Sequence, residues 1–390
     1  MPGKRGGYMA KNNDIGALVR LFLKLGIIGF GGPAAHIAML EDEVVTRRQW
    51  LTREHFLDLL GATNLIPGPN STEMAIHVGY VRGGWRGLVL AGVCFVLPAV
   101  LITTALAWVY VEYGTLPEAE PLLRGIKPVV LAVIVGALWK LGQKAVKDWR
   151  LLMVGIAVAA IAFQQGYEIP ALFCGGLVGM FWRRFRPGQA VGWAAVASLG
   201  LVDSARAAVL QAGTAVEAVS IWKLGLFFLK IGAVLYGSGY VLFAFLEGGL
   251  VRDYGLLTQA QLLDAVAVGQ FTPGPVLSTA TFIGYVIAGP LGALVATVGI
   301  FLPSFFFVAA VNPLIPRLRQ SAWAGAFLDG VNVSAVGLMV AVMARLGQTT
   351  LIDLSAWAIT TIAFLVMWRW QVSAAWLVLA GAVTGYILWH

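Results

Sequence analysis

Two short stretches, Leu65-Ile66-Pro67-Gly68-Pro69 and Phe271-Thr272-Pro273-Gly274-Pro275, decide the fold of this chain. Each interrupts an otherwise apolar, helix-forming segment. Two prolines remove two backbone donors, the first disfavours helical geometry in the residue before it, and the glycine between them adopts conformations closed to other residues. A new helix can begin at once, because proline suits the first turn. The sequence therefore predicts two half-helices meeting at each motif.

The two motifs belong to an internal repeat. Residues 22–70 align with residues 228–276 at an offset of 206, and roughly a third of the positions are identical without a gap. After a one-residue deletion the alignment continues at an offset of 205, which pairs Gly79 with Gly284 and Gly125 with Gly330. The identities include polar positions that shared hydrophobicity would not align: Lys24 with Lys230, Glu41 with Glu247, and Asp58 with Asp264. We therefore divide the chain into a first repeat (1–186), a connecting segment (187–221) whose apolar residues 189–201 could form an extra span, and a second repeat (222–390).

Composition places the chain in a membrane. Of its 390 residues 59% are hydrophobic and only 12% charged, whereas a soluble domain carries roughly twice that charge. Apolar stretches long enough for helical spans recur many times, and the alternation typical of a β-barrel is absent from the sequence. We expect an all-α polytopic membrane protein with about ten to thirteen membrane segments. The run from Ile15 onward is read as a retained first helix, because no cleavage site follows it.

The net charge of +8 reflects topology rather than a nucleic-acid partner, because the basic residues are scattered through short loops. In the first repeat an acidic loop (Glu112, Glu118, Glu120) precedes a basic cluster (Lys140, Lys144, Lys147, Arg150), and further arginines follow at 183, 184 and 186. In the second repeat Arg317 and Arg319 occupy the counterpart of the acidic loop, and Arg345 alone remains of the basic cluster. The reversed bias predicts an inverted-topology repeat with broken helices, an arrangement typical of secondary transporters.

Buried half-helix termini predict an anion site. Such a terminus presents free N–H groups and about half a positive charge, and irregular backbone is tolerated at membrane depth only inside protein or beside a water-filled cavity. Glycines interrupt the neighbouring helix in each repeat, which would bring two broken helices per repeat around a central site. The candidate substrate-binding residues at these breaks are Gly31, Gly32, Pro33, Pro67, Gly68, Pro69, Asn70, Ser71, Thr72, Gly237, Gly239, Pro273, Gly274, Pro275 and Ser278. Helix caps are predicted at Thr52, at Thr258 with Gln261, and at Asn70 with Glu73.

Charged and titratable residues in the apolar segments supply further candidates. Lys24 and Lys230 lie inside their first spans, where a charge is costly and marks a functional site unless the side chain reaches the interface. His36 joins them as a substrate-binding candidate that could instead be a structural histidine. The proton-coupling candidates are Asp58, Asp264 and Glu73, although Glu73 also reads as a helix cap.

Neither a cofactor nor a metal site is predicted. Cys94 and Cys174 both lie in apolar runs, and the four histidines show no metal-ligand spacing with them. The sequence also lacks a zinc-protease motif, a nucleophile elbow and an ATP-binding phosphate loop. An enzyme and an ATP-driven pump are therefore disfavoured, and a catalytic residue is not assigned.

The residues at the breaks resemble the chromate ion transporter family. That family carries an early phenylalanine-glycine-glycine-proline element, here Phe30-Gly31-Gly32-Pro33, and a later proline-glycine-proline, here Pro67-Gly68-Pro69 with its second copy. The resemblance spans both repeats and fits the long, two-domain form. It implies proton-coupled export of chromate, or of sulfate, across the bacterial inner membrane. Tyr236-Gly237-Ser238-Gly239 lacks the proline, so the two repeats could differ in role.

Other functions stay open at this stage. A carboxylate would suit the same helix termini as chromate or sulfate, so the identity of the anion follows from the resemblance alone. A channel or a lipid scramblase of this architecture would need no coupling ion. The expected partners are a small oxyanion and the lipid bilayer, with a homodimer as a further state and no nucleic acid.

Overall fold

A computed structural model describes residues 14–114, 116–164, 168–184, 220–236, 239–311 and 322–389. Within these ranges the chain forms helices and connecting loops, with no strand. The connecting segment predicted at 187–221 lies almost entirely outside the described residues, as do Gly237, Arg317 and Arg319.

Within the described residues the first repeat contains seven α-helices. They are α1 (Ile15–Ile28), α2 (Gly32–Glu41), α3 (Arg53–Thr63), α4 (Asn70–Tyr113), α5 (Ala119–Ala145), α6 (Trp149–Gln164) and α7 (Glu168–Arg184). A π-helical turn, Asp42–Arg47, extends α2. The predicted interruption of the first apolar segment is confirmed, because α1 ends before Gly29 and α2 begins at Gly32.

The second repeat has the same order of elements. Its helices are α8 (Ile221–Val234), α9 (Leu242–Leu246), α10 (Gln259–Phe271), α11 (Thr279–Val311), α12 (Ala322–Thr350), α13 (Leu354–Trp370) and α14 (Ala374–Trp389). Short 3-10 turns, Gly239–Val241 and Val276–Ser278, precede α9 and α11, and a π-helical turn, Glu247–Asp253, follows α9. Helix α11 is therefore the counterpart of α4.

Helices α4 and α11 each fold back on themselves. Backbone torsions leave helical values at Gly84 (φ 59°) and at Gly289 (φ 63°). Beyond the first turn Gly87 lies against Gly79, and beyond the second Gly292 lies against Gly284. Residues eight apart in a straight helix are about 12 Å apart along the axis. Each element is thus a hairpin of a half-helix and a longer helix, 70–83 with 85–113 in α4.

Two of the three predicted helix caps are confirmed. The side chain of Thr52 accepts from the N–H of His55, and Thr258 forms a full capping box with Gln261. The capping box predicted for Asn70 and Glu73 is wrong. Pro69 has extended torsions and is itself the N-cap, so Asn70 is the first helical residue and its amide donates to Asn64 at 2.7 Å.

The protein is a polytopic membrane protein. Four of the described helical segments are long and apolar enough to cross a bilayer: Asn70–Tyr113, Ala119–Ala145, Val276–Ala310 and Trp323–Thr350. Large apolar side chains such as Trp85, Leu101 and Phe306 point outward and remain exposed. Exposed apolar residues of this size suit a surface covered by lipid.

The repeats exchange helices. Helix α5 packs against α13 and α14 of the second repeat, and α12 packs in the same way against α6 and α7 of the first. The contacts are made by small residues: Gly125 lies against Gly381 and Gly385, and its counterpart Gly330 lies against Gly175 and Gly179. Glycines allow such close approach of helix backbones in a membrane. One long helix of each repeat therefore packs within the helices of the other repeat.

Residues 85–113 of α4 run antiparallel to the part of the second repeat that packs against them. Along residues 85–113 of α4, the partners from the second repeat follow in reverse chain order. They are Phe305 beside Gly92, Gly274 beside Ala99, Thr272 beside Thr103 and Asp264 beside Tyr110. The turn at Gly84 thus lies at the opposite end of the molecule from Asp264.

Candidate functional site

The two Pro-Gly-Pro breaks are joined through the partner repeat. The N–H of Gly68 donates to the carbonyl of Leu235 at 2.7 Å, and the N–H of Gly274 donates to the carbonyl of Gly29 at 2.7 Å. Gly29 and Leu235 are equivalent positions at the end of α1 and α8. Four chain breaks therefore meet in the interior, and each uses a backbone donor or acceptor that a continuous helix would have used internally.

Both central glycines are required by their surroundings. Gly68 and Gly274 have φ values of 143° and 94°, which side chains rarely adopt. A Cβ at Gly68 would collide with the carboxyl of Glu73 and with Ser304, and one at Gly274 would lie 2.9 Å from the Cβ of Ala99. Ser304 and Ala99 are themselves equivalent positions. The two breaks are therefore packed alike.

The break between α1 and α2 also depends on glycine. Gly31 and Gly32 have φ values of 99° and 79° and lead into Pro33 in the first turn of α2. His36 is buried and its Nε2 lies 2.9 Å from the carbonyl of Gly29. The same carbonyl accepts from Gly274, so His36 helps to hold the meeting point of the two repeats. In the second repeat Gly239 starts the 3-10 turn.

A cavity of about 710 Å³ lies beside these breaks. Five of the predicted substrate-binding residues line it, namely Gly31, Gly32, Pro33, Asn70 and Gly239. The prolines and glycines of the two Pro-Gly-Pro motifs do not line the cavity, but Asn70 and Thr272 directly flank them and do. The break between α1 and α2 and the residues that flank the Pro-Gly-Pro motifs thus line a space large enough for a small anion.

The sequence did not single out most of the polar residues in the cavity. They are Asn64, Lys144, Tyr240, Gln270, Asn332, Gln371 and Lys140, the last with its Nζ 3.3 Å from Oε1 of Gln371. The sequence pattern indicates Lys140 and Lys144 only as a topology signal. Gln270 precedes the second Pro-Gly-Pro by three residues, and that position is a usable signal.

Gln270 presents an unused donor. Its Oε1 accepts from the hydroxyl of Tyr240 at 3.3 Å, while its Nε2 is buried without a hydrogen-bond partner among the described residues. A buried amide donor without a partner costs free energy, about 1–3 kcal/mol in mutational data. Because Gln270 lines the cavity, a ligand that accepts hydrogen bonds would satisfy this donor.

The hydroxyl candidates at the half-helix termini are buried behind the cavity wall. Ser71, Thr72 and Ser278 are almost fully enclosed, and none of them lines the cavity. The hydroxyl oxygens of Thr72 and Ser278 have no hydrogen-bond partner within the described ranges. These side chains can reach an anion only if the half-helices move.

Glu73 is a fully buried carboxyl. Its exposure is 0%, and both carboxyl oxygens lack a hydrogen-bond partner in the described part of the chain. It lies against Gly68, and Ser304 adjoins the same glycine. The equivalent position in the second repeat is Ser278, so only the first repeat has an acidic group here. An ionised carboxylate without a partner in such a place is very costly, which favours the protonated form.

The remaining charged candidates lie away from the cavity. Lys24 forms an ion pair with Glu43 at 2.6 Å. Lys230 is exposed on α8, and Asp58 is partly buried on α3. Asp264 is buried and accepts a hydrogen bond from the hydroxyl of Tyr110 at 2.9 Å.

Comparison with known proteins shows the family to which the chain belongs. Residues 16–180 and 222–386 each match the family described as Chromate transporter. The chain is 33% identical to a chromate transport protein of Cupriavidus metallidurans over 97% of its own length and 94% of that protein. It is also 33% identical to a probable chromate transport protein of Synechococcus elongatus, covering 95% of each chain.

A chromate transport protein of Pseudomonas aeruginosa is likewise 33% identical, over 94% of this chain and 91% of that protein. No solved structure matches the chain. The family match falls on both halves and covers each of the four breaks described above. The chain therefore belongs to the chromate transporter family.

Proposed function

We propose that the protein is a secondary transporter that carries chromate through the cavity between its two repeats. The observation that carries the proposal is the pair of reciprocal hydrogen bonds, Gly68 to Leu235 and Gly274 to Gly29, beside a cavity with an unused amide donor. The relatives named above are described as chromate transport proteins. Gln270 and Asn70, together with the backbone of Gly31 and Gly32, would bind the anion there.

Loop charge supports an orientation. The end of the molecule that contains the Gly84 turn also contains Arg82 and Arg86, and Arg82 lies 5.0 Å from the ring of Trp50. Helix α5 runs toward this end and brings Lys140 and Lys144 to the mouth of the cavity. Basic loops are cytoplasmic in most membrane proteins. In a bacterial inner membrane the cavity would then open to the cytoplasm, where it could bind an anion for export.

The antiparallel packing of α4 against the second repeat supports alternating access. If the repeats are inserted with inverted topology, exchange of their two conformations would close the cytoplasmic mouth and open an outer one around the same central site. Helix exchange between α5 and the second repeat would couple the two motions, since neither repeat can move alone. The inverted topology is part of this proposal.

Glu73 would couple transport to protons. It is a fully buried acid beside Gly68, and neither residue lines the cavity in which the anion would bind. Movement of the half-helix 70–83 would expose Glu73 to water and allow it to lose its proton. Asp264 and Asp58 remain further candidates for this role.

Flux of labelled chromate in proteoliposomes tests the proposal. We expect uptake that an imposed pH gradient accelerates, and competition by sulfate, which has the same charge and tetrahedral shape. Flux that is indifferent to the pH gradient would indicate a channel. Transport of a carboxylate without transport of chromate would assign a different cargo to the same site.

A further inference from the structure

A second, smaller cavity lies on the far side of the molecule. It has a volume of about 250 Å³, and its lining includes Arg124 and Lys127 of α5, Gln259 and Leu263 of α10, and Thr349 of α12. None of these residues lines the large cavity. The ion pair between Arg124 and Asp353, at 3.0 Å, also lies in this cavity.

The two cavities lie end to end along the same two helices. On α10 the small cavity contacts Gln259 to Leu263, and the large cavity contacts Gly269 and Gln270. On α5 the small cavity contacts Lys127, and the large cavity begins at Val133. Residues 264–268 of α10 and 129–132 of α5 lie between the two cavities.

A buried acid lies at this separation. Asp264 is 3% exposed, its Oδ2 accepts from Tyr110 at 2.9 Å, and its Oδ1 lies 3.9 Å from Nζ of Lys127. The pair is close enough for ionic attraction but too long for a hydrogen bond. Oδ1 has no hydrogen-bond partner among the residues that the structure describes.

The ammonium group of Lys127 therefore has hydrogen-bond donors that Asp264 does not take up. Its side chain is 26% exposed, it faces the small cavity, and within the described ranges it donates no hydrogen bond. A buried amide oxygen of Gln259 in the same cavity also lacks a partner. A lysine ammonium has three donors, so an anion in the cavity could take hydrogen bonds that Asp264 leaves unmade.

We propose that Lys127 is a second anion-binding residue, which holds the oxyanion on the outer side of the protein. When the outer route is closed, Asp264 pairs with Lys127 in place of the anion. The proposal rests on the transport function proposed above and adds the place where the exported anion is released. When the anion reaches the outer cavity, it competes with Asp264 for Lys127. Tyr110 keeps the displaced carboxylate in place through its hydroxyl.

The repeat gives this site an asymmetric counterpart. The position equivalent to Lys127 in the second repeat is Asn332, which lines the large cavity, and the position equivalent to Asp264 is Asp58. The cytoplasmic route thus has a neutral amide where the outer route has a cation. The two routes therefore differ in charge at this pair of equivalent positions, and the two faces would differ in anion affinity.

Exchange of labelled chromate, measured separately on right-side-out and inside-out membrane vesicles, tests the proposal. Lys127→Gln should raise the half-saturating concentration at the outer face by about tenfold or more, as expected for the loss of a charged hydrogen bond, and should leave the cytoplasmic value nearly unchanged. Lys127→Arg should stay close to the wild type. Lys223→Gln, an exposed lysine at the start of α8 that lines neither cavity, serves as the matched control.

Asp264→Asn provides a test of opposite sign. Removal of the competing carboxylate should lower the half-saturating concentration at the outer face. The proposal is overturned if Lys127→Gln leaves the outer value unchanged or shifts both faces equally, or if Asp264→Asn weakens outer binding. If Lys127→Gln does not reach the membrane, the Asp264→Asn result decides alone. Absence of oxyanion exchange in the wild type would instead refute the transport function itself.

Discussion

The glycines of the two Pro-Gly-Pro motifs provide the sharpest mutational prediction, because the chain contains matched controls. Gly68, Gly274, Gly84 and Gly289 all have positive φ values. A Cβ would have no neighbour within 4 Å at Gly84 or Gly289, whereas it would meet filled space at Gly68 and Gly274. Alanine at all four positions therefore separates backbone strain from close packing.

The expected magnitudes follow from these two terms. Backbone in the glycine-favouring region at positive φ costs a residue with a side chain about 1–3 kcal/mol, and overpacking adds about 1–3 kcal/mol. Gly84→Ala and Gly289→Ala should thus lose about 1–3 kcal/mol of stability, and Gly68→Ala and Gly274→Ala about 2–6 kcal/mol. The latter pair should also lose chromate flux, since their N–H groups join the repeats.

The assay is SDS-induced unfolding of the purified variants, followed by chromate flux in proteoliposomes at equal protein density. The reasoning predicts that flux survives in both turn variants and is lost in both motif variants. Equal loss of stability and flux in all four variants would refute it, because strain alone would then explain the result.

Three further outcomes follow from the site and the fold. Glu73→Gln should abolish the acceleration of chromate flux by a pH gradient while leaving chromate exchange intact. Measuring flux with and without the gradient tests this, and persistence of the acceleration would exclude Glu73 as the coupling group. Replacing both Lys140 and Lys144 with glutamine should raise the half-saturating chromate concentration at the cytoplasmic face several-fold at low ionic strength. The effect should be smaller at high ionic strength, because salt screens exposed charges. A shift independent of salt would argue against electrostatic attraction of the anion by these lysines. Arg345→Met should destabilise the protein by about 1.5–3 kcal/mol in SDS unfolding, because it removes the charged hydrogen bond to buried Glu247 at 2.7 Å and leaves, among the described residues, only Arg252 at 3.8 Å. A change below about 1 kcal/mol would contradict that expectation.

The repeat in the sequence predicted much of the central architecture. Alignment of the two motifs implied equivalent breaks, and the hydrogen bonds of Gly68 and Gly274 are indeed equivalent. The alignment could not predict that α5 packs on the last two helices of the other repeat. Equivalent residues such as Gly125 and Gly330 identify matching positions, but they do not say which copy supplies the partner.

The site was predicted less completely than the fold. The glycines and prolines of the breaks could be named because their backbone requirements are visible in the sequence. Asn332 and Lys140 could not, because their approach to the cavity depends on how helices from both repeats pack. The cap role predicted for Glu73 is wrong, because Pro69 takes the N-cap position itself.

Equilibrium dialysis of labelled chromate against the purified protein tests the central claim most directly. The account predicts saturable binding to the wild type, with affinity reduced by about tenfold or more in Gln270→Leu, because the variant removes the unpartnered amide donor of the cavity. Thr384→Val, on the exposed face of α14, should bind like the wild type. Unchanged affinity in Gln270→Leu would contradict the claim that the anion is held in this cavity.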